Sequence, residues 1–288
     1  MRISLSSITD VGKEREVNED AFTNSPDLEK QSWDINTTNG LVPMGKWGCL
    51  SVVADGIGGS NAGDVASRIA METVQRMFAS KDVEKAVETN GCQELLSKTV
   101  VEVDNAICQH VEDNPDTIGM GTTIVMAWLV EGKAHIAWCG DSRCYVYNPL
   151  KGLHLLTHDH SYVQQQVDEG KMTQQEAFFS QENNIITHGL GNCDVDKTPE
   201  LIEYRMNVGD ILLLCTDGLC GYCTDQQMTV CLKTHYCDLD VICADLLEMA
   251  LAAGGYDNIC ISLLMMAEDD SIPKYHIPFW KKIWNMFN

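Results

Sequence analysis

Hydrophobic positions alternate with polar ones in some parts of this chain and run without interruption in others. "ISLSSIT" (3–9) alternates, as a half-buried strand does. "WGCLSVVADG" (47–56) is a continuous apolar run ending in Asp-Gly, which is typical of a buried strand that enters a turn. "DILLLCTDG" (210–218) repeats this pattern, and "DNICISLLMM" (257–266) is predicted to be a final strand.

Helical spacing of apolar residues predicts helices elsewhere. Residues 62–79 and 93–112 each place apolar side chains three and four positions apart, so each is predicted to bury one face. Residues 240–255 read as a helix that glycines terminate. Thr224, with Gln227 three positions later, is predicted to form a capping box at the start of another helix.

The order of these elements favours one fold class. Residues 121–148 contain three short β-rich pieces separated by turn residues, which predicts consecutive antiparallel strands, and 159–190 is predicted to be partly helical. Because strands cluster in the middle while helices come in pairs, an α+β fold fits better than a βαβ parallel sheet. No linker interrupts residues 1–267, so we expect one domain there and a C-terminal tail at 268–288.

The tail ends in "HIPFWKKIWNMFN" (276–288), where aromatic and apolar residues follow helical spacing beside two lysines. A helix here would have an aromatic face and a cationic edge, which suits a membrane surface or a groove on a protein partner. Packing of that face on the chain's own domain explains the pattern equally well. The sequence leaves both interpretations open.

Charge and cysteine content restrict the function further. The formal net charge of −22 would repel a phosphate backbone over most of the surface, so no nucleic-acid partner is expected. The N-terminus "MRISLSSITD" lacks the features of a signal peptide, and no apolar run is long enough for a membrane helix. Thirteen cysteines at irregular spacings therefore predict a reducing, cytoplasmic location.

Acidic residues recur where the predicted strands meet turns. Each one alone is most simply a turn former. At neighbouring strand ends they would repel one another by about 1–4 kcal/mol per close pair, so such a cluster requires cations among the acids. Carboxylate oxygens favour Mg²⁺ or Mn²⁺ over zinc. The acids are Glu19, Asp20, Asp55, Asp141, Asp217 and Asp257.

Charge balance indicates two divalent ions. Four negative charges, which two such ions neutralise, come from Glu19, Asp55, Asp217 and Asp257. Asp141 could help to hold a third, weaker ion. Arg15, four residues before Glu19, is either a simple ion-pair partner of these acids or a phosphate ligand, since its guanidinium matches phosphate geometry.

Cys-Gly-Tyr-Cys at 220–223 offers a redox alternative close to the same acids. A thioredoxin-like pair needs a βαβ context, which the surrounding sequence does not supply. Coincidence is therefore the simpler interpretation. Redox inhibition remains the alternative, because oxidation beside Asp217 could disturb its geometry.

Eight motifs follow one another in a fixed order over nearly the whole chain. They are "VGKEREVNED" (11–20), "VVADGIGGSNAGDVAS" (52–67), "GMGTTIVMAWL" (119–129), "HIAWCGDSRCYVY" (135–147), "LLTHDHSYVQQQVDEGKMT" (155–173), "NNIITHGLG" (183–191), "DILLLCTDGL" (210–219) and "GGYDNICISLL" (254–264). In this order they resemble the metal-dependent protein serine/threonine phosphatases (the PPM, or type 2C, family), specifically the compact bacterial members. Each motif is weak alone, but eight in register are specific.

The resemblance implies a four-layer α/β/β/α sandwich, in which helices flank two antiparallel sheets and a binuclear Mn²⁺ or Mg²⁺ site lies at one end. By position in the motifs, Asp55 is expected to bridge both ions, and the Gly56 carbonyl to bind one of them. Asp217 and Asp257 are expected to hold one ion. Glu19 is expected to face the other, directly or through water.

The same resemblance implies the remaining roles. Asp141 and Asp217 would form a third-metal site, Arg15 would grip the substrate phosphate, and Asp20 would orient metal-bound water. A hydroxide bridging the two core ions would attack phosphorus in line, with no covalent intermediate. Ile57 stands where animal members carry a histidine, so protonation of the leaving group would fall to metal-bound water.

The implied function is hydrolysis of phosphoserine and phosphothreonine in proteins, opposing a Ser/Thr kinase. A regulatory pseudophosphatase and a phosphatase of small phosphate esters are the alternatives, and the intact acidic set argues against the first. Residues 24–46 and "SQENN" (180–184) depart from the compact bacterial pattern. Both departures bear on substrate recognition rather than on the metal chemistry.

Overall fold

In a computed structural model of the chain, the described residues form twelve strands and eight α-helices. The described residues are 1–37, 40–58, 62–191, 195–236 and 238–268. The strands are β1 (Arg2–Asp10), β2 (Asp20–Ser25), β3 (Val42–Pro43), β4 (Cys49–Ile57), β5 (Gly121–Thr122), β6 (Ile124–Val130), β7 (Lys133–Cys139), β8 (Arg143–Asn148), β9 (Gly152–Leu155), β10 (Glu200–Arg205), β11 (Ile211–Cys215) and β12 (Ile259–Ala267). The helices are α1 (Gly63–Met77), α2 (Ser80–Glu88), α3 (Cys92–Asp113), α4 (Tyr162–Asp168), α5 (Gln174–Phe178), α6 (Asp217–Cys220), α7 (Asp225–Thr234) and α8 (Leu239–Ala252).

Two sheets make up the centre of the molecule. The first has the strand order β3-β1-β12-β11-β8-β9, and the second has the order β10-β7-β6-β4-β2, with β5 added to β4. The strand pairings within these sheets are antiparallel. The last strand, β12, therefore lies between β1 and β11 in the interior of the first sheet.

Apolar layers cover both faces of each sheet. On β4, Val53 packs into the layer between the sheets, while Val52 and Ala54 pack against the helices outside the second sheet. On β11, Leu212 and Leu214 face the other sheet in the same way. Successive side chains of a strand point to opposite faces, so a strand buried on both faces is apolar at most positions. This explains the uninterrupted apolar runs of the sequence.

Helices form the outer layers. Helices α1 and α3 pack on the second sheet, against β4 and β7, and α8 packs on the first, against β1 and β12. The result is the expected α+β sandwich with four layers, α/β/β/α. In the described part of the chain, helices are too short or too polar to cross a bilayer. The segment 276–288, with its predicted aromatic face, lies outside the described residues.

The prediction for residues 121–148 was right for all three strands and wrong for the pairing of the third. β6 and β7 form the expected antiparallel pair. β8 instead lies in the other sheet, between β11 and β9. The chain crosses between the sheets at Gly140, whose φ of +116° favours glycine and whose missing Cβ would lie 2.6 Å from the Cβ of Thr123. This crossing places Asp141 at the end of the sandwich.

Several peripheral elements were not predicted. β10 is an edge strand with a mixed sequence, and half-exposed edge strands lack the apolar runs that identify central ones. The first predicted helix ends earlier, at Met77, and α2 follows it as a separate helix. The predicted capping box is confirmed: the Thr224 hydroxyl accepts from the Gln227 amide, and the Gln227 side chain accepts from the Thr224 amide.

A chain of buried hydroxyl groups crosses the apolar layer between the sheets. The Ser262 hydroxyl on β12 lies 2.6 Å from that of Ser7 on β1 and 2.7 Å from that of Ser51 on β4. The Asn24 side chain on β2 donates to the Ser7 hydroxyl at 3.1 Å. Burying a polar group without a hydrogen-bond partner costs free energy. The contacts among these hydroxyl groups therefore favour one register of the two sheets.

The Ser262→Ala substitution should lower the free energy of unfolding by roughly 1–3 kcal/mol, because it removes the Ser51 hydroxyl's contact in a buried layer and leaves the Ser7 hydroxyl with Asn24 alone. Urea denaturation measures the change. Ser97→Ala, on the surface of α3, is the matched control and should be close to neutral. Equal effects of the two substitutions would contradict the role of the hydroxyl chain.

Candidate active site

Strand ends from both sheets bring the predicted acids together. Asp20 begins β2 and lies directly opposite Asp55, near the end of β4. Asp217 follows β11 as the first residue of α6, and Asp257 precedes β12 by two residues. The sandwich thus gathers at one end residues that are more than 200 positions apart in sequence.

Mutual repulsion and burial perturb these acids. Burial raises the pKa of Asp55 well above its usual range, and the neighbouring charges of Asp20, Asp217 and Asp141 raise it further. Burial, followed by the charge of Asp257, raises the pKa of Asp217 to about 6. The carboxyl groups of Asp55 and Asp217 are neighbours, and the charge of Asp217 opposes ionisation of Asp55. A cation between them would relieve this repulsion.

Two carboxylate oxygens have no donor among the described residues. Asp20 is 6% exposed, and its Oδ2 accepts a 2.7 Å hydrogen bond from the Thr216 hydroxyl, but its Oδ1 is buried without a partner. Asp217 Oδ1 is also buried without a partner. Buried carboxylate oxygens without a partner are destabilising, and such oxygens are good ligands for hard divalent cations. The donor set therefore fits Mg²⁺ or Mn²⁺.

The acids lie close together, but their side chains are not arranged as a complete coordination sphere. Across the described ranges, no three His, Cys, Asp or Glu side chains are placed so that they could together hold a metal ion. Some of their oxygens already have protein partners. Asp257 accepts from Arg15 through Oδ2 and from the Asn258 amide through Oδ1, both at 2.9 Å.

Glu19 lies in a cradle that glycines form. Its carboxylate accepts a hydrogen bond from the Gly63 amide, and its own carbonyl accepts from the Gly56 amide at 3.1 Å. A Cβ on Gly63 would lie 2.7 Å from Glu19 Oε1 and 2.9 Å from the Gly56 carbonyl carbon. Only glycine therefore fits at position 63. Burial raises the pKa of Glu19, with Asp64 and Asp257 adding to the shift against the opposing charge of Arg15.

Arg15 is the cation at the edge of this cluster. Its guanidinium forms the 2.9 Å ion pair with Asp257, and its side chain is 48% exposed. The predicted ion pair between Arg15 and one of the acids is therefore present. The exposure leaves the guanidinium accessible to a phosphate group as well, so the second interpretation stays a prediction.

Asp141 lies in the wall of a cavity of about 400 Å³ beside the cluster. Burial raises its pKa well above the usual range, and the charges of Asp217 and Asp159 add to the shift. Arg143 and Asp159 form a nearly buried ion pair in the same wall, in which Arg143 Nε donates to Asp159 Oδ1 at 2.8 Å. This pair was not predicted, because Arg143 begins β8 and Asp159 follows β9, so only the pairing of these strands brings the two residues together.

Sequence reasoning also missed the polar residues that fix the acids in place. Asn258 accepts from the Glu19 amide at 2.8 Å and donates to the carbonyls of Val11 and Val17, so it ties down the segment that carries Arg15. The Thr123 hydroxyl accepts from the Asp55 amide at 3.1 Å. A usable signal existed for Asn258, which directly follows Asp257 in the sequence.

Cys220 and Cys223 are reduced, buried thiols in the apolar cluster on α6 and α8. Burial raises the pKa of Cys223 to about 11, and the Cys220 thiol lies 3.5 Å from the Thr216 carbonyl. A buried thiol with a raised pKa is a poor nucleophile. These features favour packing over redox chemistry.

A family model identifies the chain. The model described as protein phosphatase 2C matches residues 41–239. The chain belongs to the protein phosphatase 2C family. Among curated relatives, the serine/threonine phosphatase stp of Listeria monocytogenes is 33% identical over 216 residues, covering 75% of this chain and 83% of that protein. The resemblance found in the motifs is thereby confirmed.

Solved structures of phosphatases share the fold. The serine/threonine phosphatase Stp1 from Staphylococcus aureus is 29% identical, with a TM-score of 0.79 over 93% of this chain and 96% of its own. The catalytic domain of the phosphatase PstP, solved in complex with two manganese ions, is 27% identical, with a TM-score of 0.72 over 93% of this chain and 99% of its own. The four-layer sandwich is therefore the phosphatase fold.

The Asp217→Asn substitution should stabilise the metal-free protein at pH 8. The folded-state pKa of about 6 lies above the unfolded value, so the folded protein loses stability as pH rises through that window and stays penalised above it. Removing the charge should raise the free energy of unfolding by roughly 1–3 kcal/mol at pH 8, and by less at pH 5.

Urea denaturation in the presence of a chelator, at both pH values, measures this difference. Asp116→Asn, at an exposed acid in the turn that follows α3, is the control and should change stability little. A variant at position 217 that is less stable than the parent at pH 8 would show that the acids do not repel one another as described.

The Gly63→Ala substitution should disable the site while leaving the fold intact. The added methyl group would displace the Glu19 carboxylate or the Gly56 backbone, and displacements of this size commonly cost roughly tenfold or more in turnover. Hydrolysis of a phosphothreonine peptide and the circular dichroism spectrum are the two measurements. Gly91→Ala, before α3, is the matched control, and unchanged turnover in Gly63→Ala would disprove the cradle.

Proposed function

We propose that this protein hydrolyses phosphoserine and phosphothreonine residues in other proteins, with two Mn²⁺ or Mg²⁺ ions in its active site. The observation that carries the proposal is the gathering of Glu19, Asp20, Asp55, Asp217 and Asp257 beside one exposed arginine. Membership of the protein phosphatase 2C family supports the reaction type. The stp and PstP proteins, both named serine/threonine phosphatases, support the substrate class.

The residues that would hold the two ions are Asp55, Gly56 through its carbonyl, Asp217, Asp257 and Glu19. When bound, the ions would supply positive charge to the phosphate oxygens. They would also lower the pKa of a water molecule, which could then lose a proton and attack phosphorus. The two manganese ions in the PstP structure support this assignment. Asp141, which shares the cavity wall with Asp217, is our candidate for the ligand of a third ion.

The chain's own groups provide orientation and charge. Arg15 would donate to the phosphate oxygens, and Asp257 would hold the guanidinium in place for this contact. The Thr216 hydroxyl fixes Asp20, so that its unpaired Oδ1 can accept a hydrogen bond from the attacking water. Asp55 and Asp217, whose pKa values burial raises, would lose their protons when cations bind.

Two alternatives from the sequence are less well supported. A regulatory pseudophosphatase has no need of buried acids that raise one another's pKa, and the acidic set is complete here. A phosphatase of small phosphate esters would share the metal chemistry. Relatives named as protein phosphatases favour the protein substrate.

We also propose that the phosphoprotein substrates are products of a Ser/Thr kinase and that the protein acts in the cytoplasm. Buried reduced thiols such as Cys144, Cys215 and Cys260 support a reducing compartment. Docking of the 276–288 tail on a membrane surface or a protein partner stays a prediction of the sequence.

Mn²⁺-dependent hydrolysis of a phosphothreonine peptide tests the function directly. The wild-type protein should release phosphate only when Mn²⁺ or Mg²⁺ is present. Asp55→Asn should reduce kcat/KM by roughly 100-fold or more, because it removes a carboxylate that would hold the ions. Asp116→Asn, an exposed acid in the turn Pro115–Thr117 that follows α3, should retain wild-type activity. Metal-independent turnover, or full activity of Asp55→Asn, would refute the proposal.

A further inference from the structure

Two tyrosines form an aromatic pair next to Arg15 and Asp257. The ring centroids of Tyr222 and Tyr256 are 5.6 Å apart, and their planes meet at 41°. Tyr256 directly precedes Asp257 and is 54% exposed. Among the described residues, neither ring belongs to the three apolar clusters that form the interior layers. The pair therefore requires an explanation other than packing of the core.

The backbone holds Tyr256 in a fixed position. Gly254 has a φ of +137°, and a Cβ there would lie 2.0 Å from Cε2 of the Tyr256 ring, so the ring lies flat against the glycine. A Cβ on Gly12 would lie 2.3 Å from the Asp257 carbonyl oxygen, and the Lys13 amide donates to the Gly255 carbonyl at 2.7 Å. The loop that carries Tyr256 is thus locked to the segment that carries Arg15.

Tyr222 is tied to the metal side of the cluster in a similar way. It follows the tight turn in which the Gly221 amide donates to the Asp217 carbonyl at 2.6 Å. Burial raises the pKa of its phenol, the charges of Asp217 and Asp257 raise it further, and Arg15 opposes them. Its ring contacts that of Tyr256, which directly precedes Asp257, the ion-pair partner of Arg15. The tyrosine pair therefore lies beside the guanidinium that would receive the phosphate.

A phosphorylated residue held by Arg15 brings its neighbours to this aromatic pair. Consecutive Cα atoms are about 3.8 Å apart, so the residue next to the phosphoresidue must lie within a few ångströms of the rim of the site. Aromatic rings on rigid supports offer a large apolar contact area at little entropic cost. A cationic side chain would be attracted to the rings but would also approach the positive charge of Arg15.

We propose that Tyr222 and Tyr256 form a wall that binds the residue adjacent to the phosphoresidue and selects an apolar side chain there. This inference rests on the proposed function and adds a sequence preference to it. The two tyrosines act as specificity-determining residues, since they contact the substrate's peptide rather than its phosphate.

The test compares three phosphothreonine peptides that differ only in the residues flanking the phosphothreonine: leucine, glycine or lysine on both sides. For the wild-type protein with Mn²⁺, kcat/KM for the leucine peptide should exceed that for the glycine peptide roughly fivefold to tenfold, mainly through KM. In Tyr256→Ala and in the double variant Tyr222→Ala/Tyr256→Ala, this ratio should fall to about one. Tyr256→Phe should keep the wild-type ratio, because the ring is retained.

The ratio of the two peptides separates selection from structural damage, because a damaged site would slow both peptides alike. Leu150→Ala, at an exposed turn between β8 and β9, is the matched control and should not change the ratio. A wild-type ratio of one, a preference for the lysine peptide, or an unchanged ratio in the double variant would overturn the wall. Failure of the wild-type protein on all three peptides would refute the proposed function itself.

Discussion

Repulsion among buried carboxylates is the constraint on which this structure depends. Asp20, Asp55, Asp141 and Asp217 occupy positions where burial and neighbouring charges oppose ionisation. A flexible chain would separate them. Here the antiparallel pairing of β2 with β4, and of β11 with β12, fixes their backbones, so the repulsion remains as an affinity for divalent cations.

The supports of the acids are mostly uncharged. Asn258 ties the segment of Arg15 to the start of β12, Thr216 holds Asp20, and Gly63 leaves space for Glu19. Such contacts position a carboxylate without neutralising it, whereas an ion pair would lower its affinity for metal. Arg15 is the exception: it pairs with Asp257, whose side chain is 25% exposed, and its guanidinium is proposed to contact the phosphate.

The central strands could be predicted from sequence, because a strand buried on both faces is apolar at most positions. The acids could be predicted because Asp-Gly or Asp-Asn marks the point where such a strand meets a turn. Val53 and Leu214 illustrate the first signal, and Asp217 the second. The edge strand β10 and the sheet assignment of β8 could not be predicted, since both depend on long-range pairing. The ion pair between Arg143 and Asp159 was hidden for the same reason. The family motifs predicted roles for the acids and Arg15, which the periodicity of hydrophobic residues cannot do.

The position of β12 has a consequence for how the protein is made. This strand is the last element in the described chain, yet it lies between β1 and β11. A nascent polypeptide emerging from the ribosome therefore leaves β1 without its main neighbour until almost the whole domain has been translated. Asp257 and Asn258 arrive with that strand. Incomplete translation products should thus carry no assembled centre, which protects the cell's phosphoproteins from unfinished enzyme.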